Sequence, residues 1–400
     1  MNPHLSLLQA YPFERLRQLF SSVKPNANYA PISLGIGEPR HATPALIKQA
    51  YSDAVLGSGL STYPATAGEA TLREAMVQWA HRRYGLNLNA ATQILPINGS
   101  REALFAFAQT IVSPKAGAAK PWVVCPNPFY QIYEGAALLS GGAPYFVHSD
   151  PQRNFAQDWD SVPEAVWAQT QLLFVCSPGN PAGAVMPLQE WKKLFDLSDR
   201  FGFVVASDEC YSEIYFRDEA PLGGLEAAAQ LGRHDFKNLV SFTSLSKRSN
   251  VPGMRSGFCA GDAALIKPFL LYRTYHGSAM SPVVQTASVA AWNDEAHVVE
   301  NRRMYREKFT QVTPMLAQVM DVALPDAGFY LWAGIQGSDE DFARDLYAAY
   351  NVTVLPGSYL AREARGHNPG AHRIRMALVA HTDECLEAAT RIVQFVQSRH

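Results

Sequence analysis

The 400-residue chain balances 34 Lys+Arg against 36 Asp+Glu for a formal net charge of −2, so it has no basic field to hold a phosphate backbone, and nucleic-acid binding is excluded as an expectation. With 48% hydrophobic residues it can bury a large core. No run approaches the roughly 18 apolar residues of a membrane span, and the first residues lack a basic segment followed by an apolar one, so a cytoplasmic protein working on small molecules, with no membrane partner, is expected.

In chain order, residues 1–45 place Leu5, Leu8, Phe13, Leu16 and Phe20 at loosely helical spacing with no sheet of their own. This segment is expected to pack on a second domain. Between Ala91 and Ala260 short apolar runs alternate with longer helical patterns, which predicts an α/β fold with a mainly parallel sheet. Seven strands are predicted, at 93–97, 122–125, 144–147, 172–176, 203–207, 239–243 and 257–260. Continuous apolar runs such as Leu172-Leu173-Phe174-Val175-Cys176 suit strands covered on both faces. Residues 46–286 are thus read as a large domain and 287–400 as a small α+β domain, with a charged helix at 297–320, strands near 328–333 and 373–379, and a last helix. The five cysteines, Cys125, Cys176, Cys210, Cys259 and Cys385, are widely spaced and mostly within apolar runs, so buried reduced thiols are expected, with neither a disulfide framework nor a metal site.

Ligands of open α/β sheets gather where strands end, so the residues after each predicted strand come first. Ser244-Leu245-Ser246-Lys247-Arg248, followed by Gly253 and Arg255, puts an amine among positive charges, which should depress its pKa and free it to condense with an aldehyde. A lone lysine is otherwise a solvated surface residue. Asp208, in Ser207-Asp208-Glu209-Cys210-Tyr211, reads either as a helix cap or as the partner of a protonated ring nitrogen. The latter would be worth roughly 4 kcal/mol at about 4 Å with an effective dielectric near 20.

The loop Ser177-Pro178-Gly179-Asn180-Pro181-Ala182-Gly183 is by itself a tight turn, but Asn180 and Tyr211 could both donate to a phenolate oxygen. Asn98-Gly99-Ser100-Arg101 runs into a helix whose free N–H groups could seat a phosphate. Tyr130 could stack on a planar ring or simply pack. Arg373-Ile374-Arg375 alternates on a strand, so one guanidinium can face a carboxylate or enter a structural ion pair.

Together these motifs resemble the fold-type I, class I/II aminotransferases over nearly the whole chain. The strongest match is Ser244-x-Ser246-Lys247 with Gly253-x-Arg255-x-Gly257; Asn180-Pro181-x-Gly183 and Asp208-x-x-Tyr211 follow the family in order and spacing. The resemblance implies pyridoxal 5'-phosphate as cofactor, Lys247 as Schiff-base lysine and proton shuttle, and Asp208 at the pyridine nitrogen. It further implies Asn180 and Tyr211 at the ring oxygen, Tyr130 stacked on the ring, and Gly99, Ser100, Arg101, Ser244 and Arg255 at the phosphate. Arg375 and Gly37 would meet the substrate. Tyr63, in Thr62-Tyr63-Pro64, would reach the neighbouring subunit's phosphate in a homodimer. Two departures stand out: Ala182, where the family commonly has threonine, and Arg101, where an uncharged residue is usual; the Arg101 backbone could serve the phosphate and its side chain the substrate.

The stretch 246–258 and the opening 8–16 are similar to bacterial N-succinyldiaminopimelate aminotransferases. That similarity implies transfer of an amino group between glutamate and N-succinyl-2-amino-6-oxopimelate. An aspartate or aromatic aminotransferase and a C–S lyase on the same scaffold remain alternatives.

Overall fold

The computed structural model describes residues 1–399; His400, the end of the expected small domain, lies outside them. After β1 (Ile32–Ser33), the strands of the large sheet are β2 (Ile94–Ile97), β3 (Trp122–Asn127), β4 (Ala143–Asp150), β5 (Ala156–Gln157), β6 (Thr170–Cys176), β7 (Val204–Asp208), β8 (Leu239–Ser244) and β9 (Gly257–Gly261). All seven predicted strands are present. The sheet nevertheless has eight, in the order β2-β9-β8-β7-β6-β3-β4-β5, because the two-residue β5 turns back antiparallel on β4. Two residues leave no hydrophobic period to read, so this strand had no signal in the sequence.

The central strands are buried on both faces, with alternate residues feeding different cores. Leu172, Phe174, Val204 and Ala206 join one apolar cluster, while Leu173, Val175 and Val205 join the other. Strands β6, β7 and β8 run parallel and end in register, Cys176 beside Asp208 and Asp208 beside Phe242. Strand β9 is antiparallel to both β2 and β8, with Gly257 opposite Ile97 and Ser244. The start of β9 therefore lies next to the ends of β2 and β8. Residues from three distant stretches of chain meet at one edge.

Beyond the sheet, β10 (Tyr330–Gly334), β11 (Val352–Thr353), β12 (Leu355–Pro356) and β13 (Arg373–Ala377) form a second layer: β10-β13-β12 is antiparallel, and β11 pairs with β1. The Ala296–Leu316 and Thr382–Gln397 helices cover it, burying Phe309, Val312, Leu316, Ile392 and Phe395. Two expected boundaries need correction. Residue 287 falls inside the Pro282–Asn293 helix, whose Ala287, Ala291 and Trp292 pack in the large cluster. The N-terminal segment also divides: Leu16 and β1 pack toward the second layer, whereas Leu8 lies 3.6 Å from the position a Cβ on Gly135 would take, against the Ile132–Leu139 helix of the large sheet. Apolar spacing shows that a segment packs, not which partner it meets.

Trp292 is fully buried, its ring centroid 5.0 Å from Trp79 and 5.1 Å from Phe258, and the Arg248 guanidinium lies 5.0 Å over it. Trp292→Ala is expected to cost about 3–5 kcal/mol, read by denaturant unfolding of the apo chain.

Candidate active site

A cavity of about 410 Å³ lies behind the Asn180 loop, and a second of about 440 Å³ opens over the carboxyl ends of the central strands. The chemistry is in the second. It gathers Gly37, Ser100, Arg101, Tyr130, Asn180, Asp208, Tyr211, Ser244, Lys247, Arg255 and Arg375, eleven of the residues singled out from the sequence. Gly99 stands immediately behind them. Tyr63 does not join them within this chain; its side chain is fully exposed.

Lys247 sits in the single helical turn Leu245–Arg248 that follows β8, and Ser244 Oγ caps the turn by accepting from Ser246 N at 3.1 Å. Its Nζ donates to Gly37 O at 2.8 Å. Burial holds this amine down to about 8, and the nearby Arg375 and Arg255 guanidinium groups push the same way, against Cys210 and Glu38. The direction agrees with the sequence, but burial leads and one named charge is wrong. Arg248 points away, donating to Ala291 O at 2.7 Å and to Glu295 Oε1 at 2.7 Å beneath Trp292. On a helical turn the adjacent residue projects about 100° around the axis, so sequence adjacency here means spatial separation.

Asp208 ends β7 and is only 4% exposed. Its donors, Tyr133 Oη at 2.7 Å and Cys210 N at 3.4 Å, are both uncharged. Burial raises its pKa while the Tyr133 hydrogen bond opposes the shift. A buried carboxylate so placed has no ion-pair contact among the described residues, only the more distant Lys247 charge, and a protonated heterocycle would supply one.

At the other rim, Arg375 Nη1 donates to Asn180 Oδ1 at 3.0 Å and Nη2 to Gly35 O at 3.1 Å, while its buried Nε has no partner among the described residues. Tyr330 completes this wall: its ring lies 4.2 Å from the guanidinium, and its Oη is 3.1 Å from that of Tyr211. Gly37 passes so close that a Cβ there would fall 2.0 Å from Tyr330 Oη.

The phosphate end follows from the antiparallel β2–β9 pair. Gly99 adopts a φ of 84°, and a Cβ on it would lie 2.1 Å from Arg255 Nη2, so only glycine lets this guanidinium lie across the start of the Ser100–Ile111 helix. Ser244 and Ser246 hydroxyls, 2.9 Å apart, and Arg255 Nη1, 3.4 Å from Ser246 Oγ, face the same place. Arg101 Nε donates to Tyr130 Oη at the mouth. The residues therefore fit pyridoxal phosphate: a cationic, glycine-lined anion seat at one end, a buried carboxylate at another and an amine of lowered pKa between.

Tyr133 and Tyr330 were not read as site residues. Tyr133 lies in the Ile132–Leu139 helix with nothing in the sequence to mark its hydroxyl's direction, and Tyr330 arrives from another layer through strand pairing. The expectation of five buried thiols holds for three; Cys176 and Cys210 are partly exposed and line the cavity.

Fold and site together define a pyridoxal-phosphate-dependent transferase of amino groups. Residues 30–392 match the family described as aminotransferase class I and II, and the chain belongs to that family. Among curated relatives it is 31% identical to the LL-diaminopimelate aminotransferase of Aquifex aeolicus (strain VF5), covering 90% of each chain. Among solved structures it is similar to an aminotransferase from Neisseria meningitidis Z2491, with 53% identity, a TM-score of 0.95, and coverage of 99% of this chain and 100% of that one. The aminotransferase AspB of Helicobacter pylori 26695 follows at 33% identity and a TM-score of 0.88, covering 98% and 99%.

Two measurements test the site. Gly99→Ala should weaken pyridoxal-phosphate binding to the apo chain about tenfold or more, as expected from losing one charge-assisted hydrogen bond, in a titration followed by absorbance. Because the Lys247 amine falls from 10.5 to about 8 on folding, the unfolded chain binds its proton more tightly, and stability of the apo chain should rise with pH between those values. Lys247→Met should flatten that rise in a urea titration series, and an unchanged slope would refute the burial argument.

Proposed function

We propose that this enzyme transfers an amino group from glutamate to N-succinyl-2-amino-6-oxopimelate, forming N-succinyl-LL-2,6-diaminopimelate. The observation carrying this reading is the pairing of two guanidinium groups in one cavity: Arg375, with a free Nε, and Arg101 at the mouth. Donor and acceptor are both acids with a second carboxylate, and a bidentate fork suits each end. The names of the curated relatives support a diaminopimelate substrate, and the similarity of residues 246–258 to the succinyl-specific enzymes supports the acylated form.

Pyridoxal phosphate, when bound, supplies the aldehyde that takes up the amino group and the ring that accepts the electrons of the broken C–H bond. This chain's residues do the rest. Lys247, its amine largely able to shed its proton near pH 8, moves the substrate α-proton. Asp208 would keep the ring nitrogen charged, Asn180 and Tyr211 would hold the ring oxygen, and Tyr130 would lie against the ring. Gly99, Ser100, the Arg101 backbone, Ser244 and Arg255 seat the phosphate. Arg375 orients the α-carboxylate against Gly37.

A homodimer completes the site through Tyr63, whose full exposure beside exposed Leu56 and Leu60 supports a second copy covering this face. Alternating half-reactions imply ping-pong kinetics.

Glutamate as donor with a panel of oxo acids tests the substrate. The succinylated acid should give the highest kcat/KM, and preference for oxaloacetate or an aromatic oxo acid would overturn the substrate while leaving the transaminase. Lys247→Ala should abolish turnover, and near-normal transamination by it would overturn the mechanism.

A further inference from the structure

A second buried amine lies behind the first. Lys308 is fully buried in the Ala296–Leu316 helix, yet its Nζ meets no carboxylate among the described residues: it donates to Leu378 O at 3.0 Å and lies 3.1 Å from His41 Nε2 and 5.0 Å from the Tyr305 ring centroid. Glu384 and Cys385 stand farther off on one side, and His381 and Glu300 are the titratable groups beyond His41. An ammonium can only donate, so His41 Nε2 accepts and Nδ1 carries the imidazole proton. Nδ1 then donates to Asn301 Oδ1 at 2.8 Å, which also accepts from Asn250 Nδ2 at 3.0 Å. The remaining amide hydrogens of Asn301 point to Lys247 O at 3.3 Å and Arg248 O at 3.5 Å. The chain of donors runs one way, from Lys308 to the backbone carbonyl of Lys247.

The same histidine closes the segment that faces Lys247 from the other side. Within residues 35–41, Gly35 O accepts from Arg375 and Gly37 O from Lys247 Nζ, and the His41 ring at its end packs on Tyr305, tilted by 44° with centroids 4.5 Å apart. We propose that Lys308, His41 and Asn301 are positioning residues that clamp the Lys247 turn and the Gly37 segment to one helix, fixing the amine where it must remove the α-proton. Burial also lowers the Lys308 amine to about 8, and burial, with Lys308 pushing the same way against the Asn301 hydrogen bond, lowers the His41 pKa.

The inference rests on Lys247 as the proton carrier, and its test separates the two. His41→Phe keeps the ring on Tyr305 and removes both hydrogen bonds; Lys308→Met keeps length without charge. Each should lower kcat about tenfold, the scale of a sub-ångström misplacement, with KM changed less than about threefold. The isotope effect with α-deuterated glutamate should rise as proton removal becomes slower. The double variant should lose no more than the worse single one, because both act through one relay. In the apo chain, amide exchange across residues 245–250 should quicken in both variants, a readout independent of turnover. Wild-type inactivity with glutamate would defeat the functional reading, whereas exchange and kcat within twofold of wild type, strictly additive losses, or a fall in kcat with no rise in isotope effect would overturn the clamp.

Discussion

The constraint on which the molecule depends is the burial of one amine at the edge of a sheet. Lys247 gives up bulk solvation for a backbone acceptor, Gly37 O, and the guanidinium groups of Arg101, Arg255 and Arg375 share its cavity. Water would hold that amine protonated near its ordinary value; the protein interior lowers it into the range where it can exchange a proton. The sheet gives this arrangement its rigidity. Each neighbouring element then supplies one group to the same cavity: Asp208 at the end of β7, Gly99 and Arg255 where β2 meets β9, and Arg375 on β13.

Charge is placed by function rather than by stability. Asp208 and Arg375 are both almost fully buried, each held only by uncharged or backbone partners on this chain. Such groups are costly without complementary ligands, and their cost marks where ligands belong. By contrast, Glu213 is buried with Arg83 at 2.8 Å and Arg302 at 3.3 Å, and the arginines hold its carboxyl below the usual range against burial. The satisfied pairs tie layers together; the unsatisfied ones face the cavity.

The Ala296–Leu316 helix has an unusual place in this scheme. One end touches the backbone of the Lys247 turn through Asn301, and its middle buries Lys308 in the second layer. A movement of either layer is therefore felt at Lys247 through hydrogen bonds as well as through packing.

The sequence by itself determined the seven principal strands, the α/β class and most of the cavity lining. Those features are local: apolar runs of strand length, and short motifs in which Lys247, Asp208 or Asn180 directly follows a strand that must deliver it to the same sheet edge. Tertiary structure alone decided which residues oppose one another across that edge. The antiparallel approach of β9 to β2 brings Arg255 over Gly99, strand pairing brings Tyr330 to Tyr211 from another layer, and the turn of a helix sends Arg248 away from the lysine beside it. Each depends on the direction in which one element crosses another, which is set by the packing of whole faces and leaves no mark in neighbouring residues.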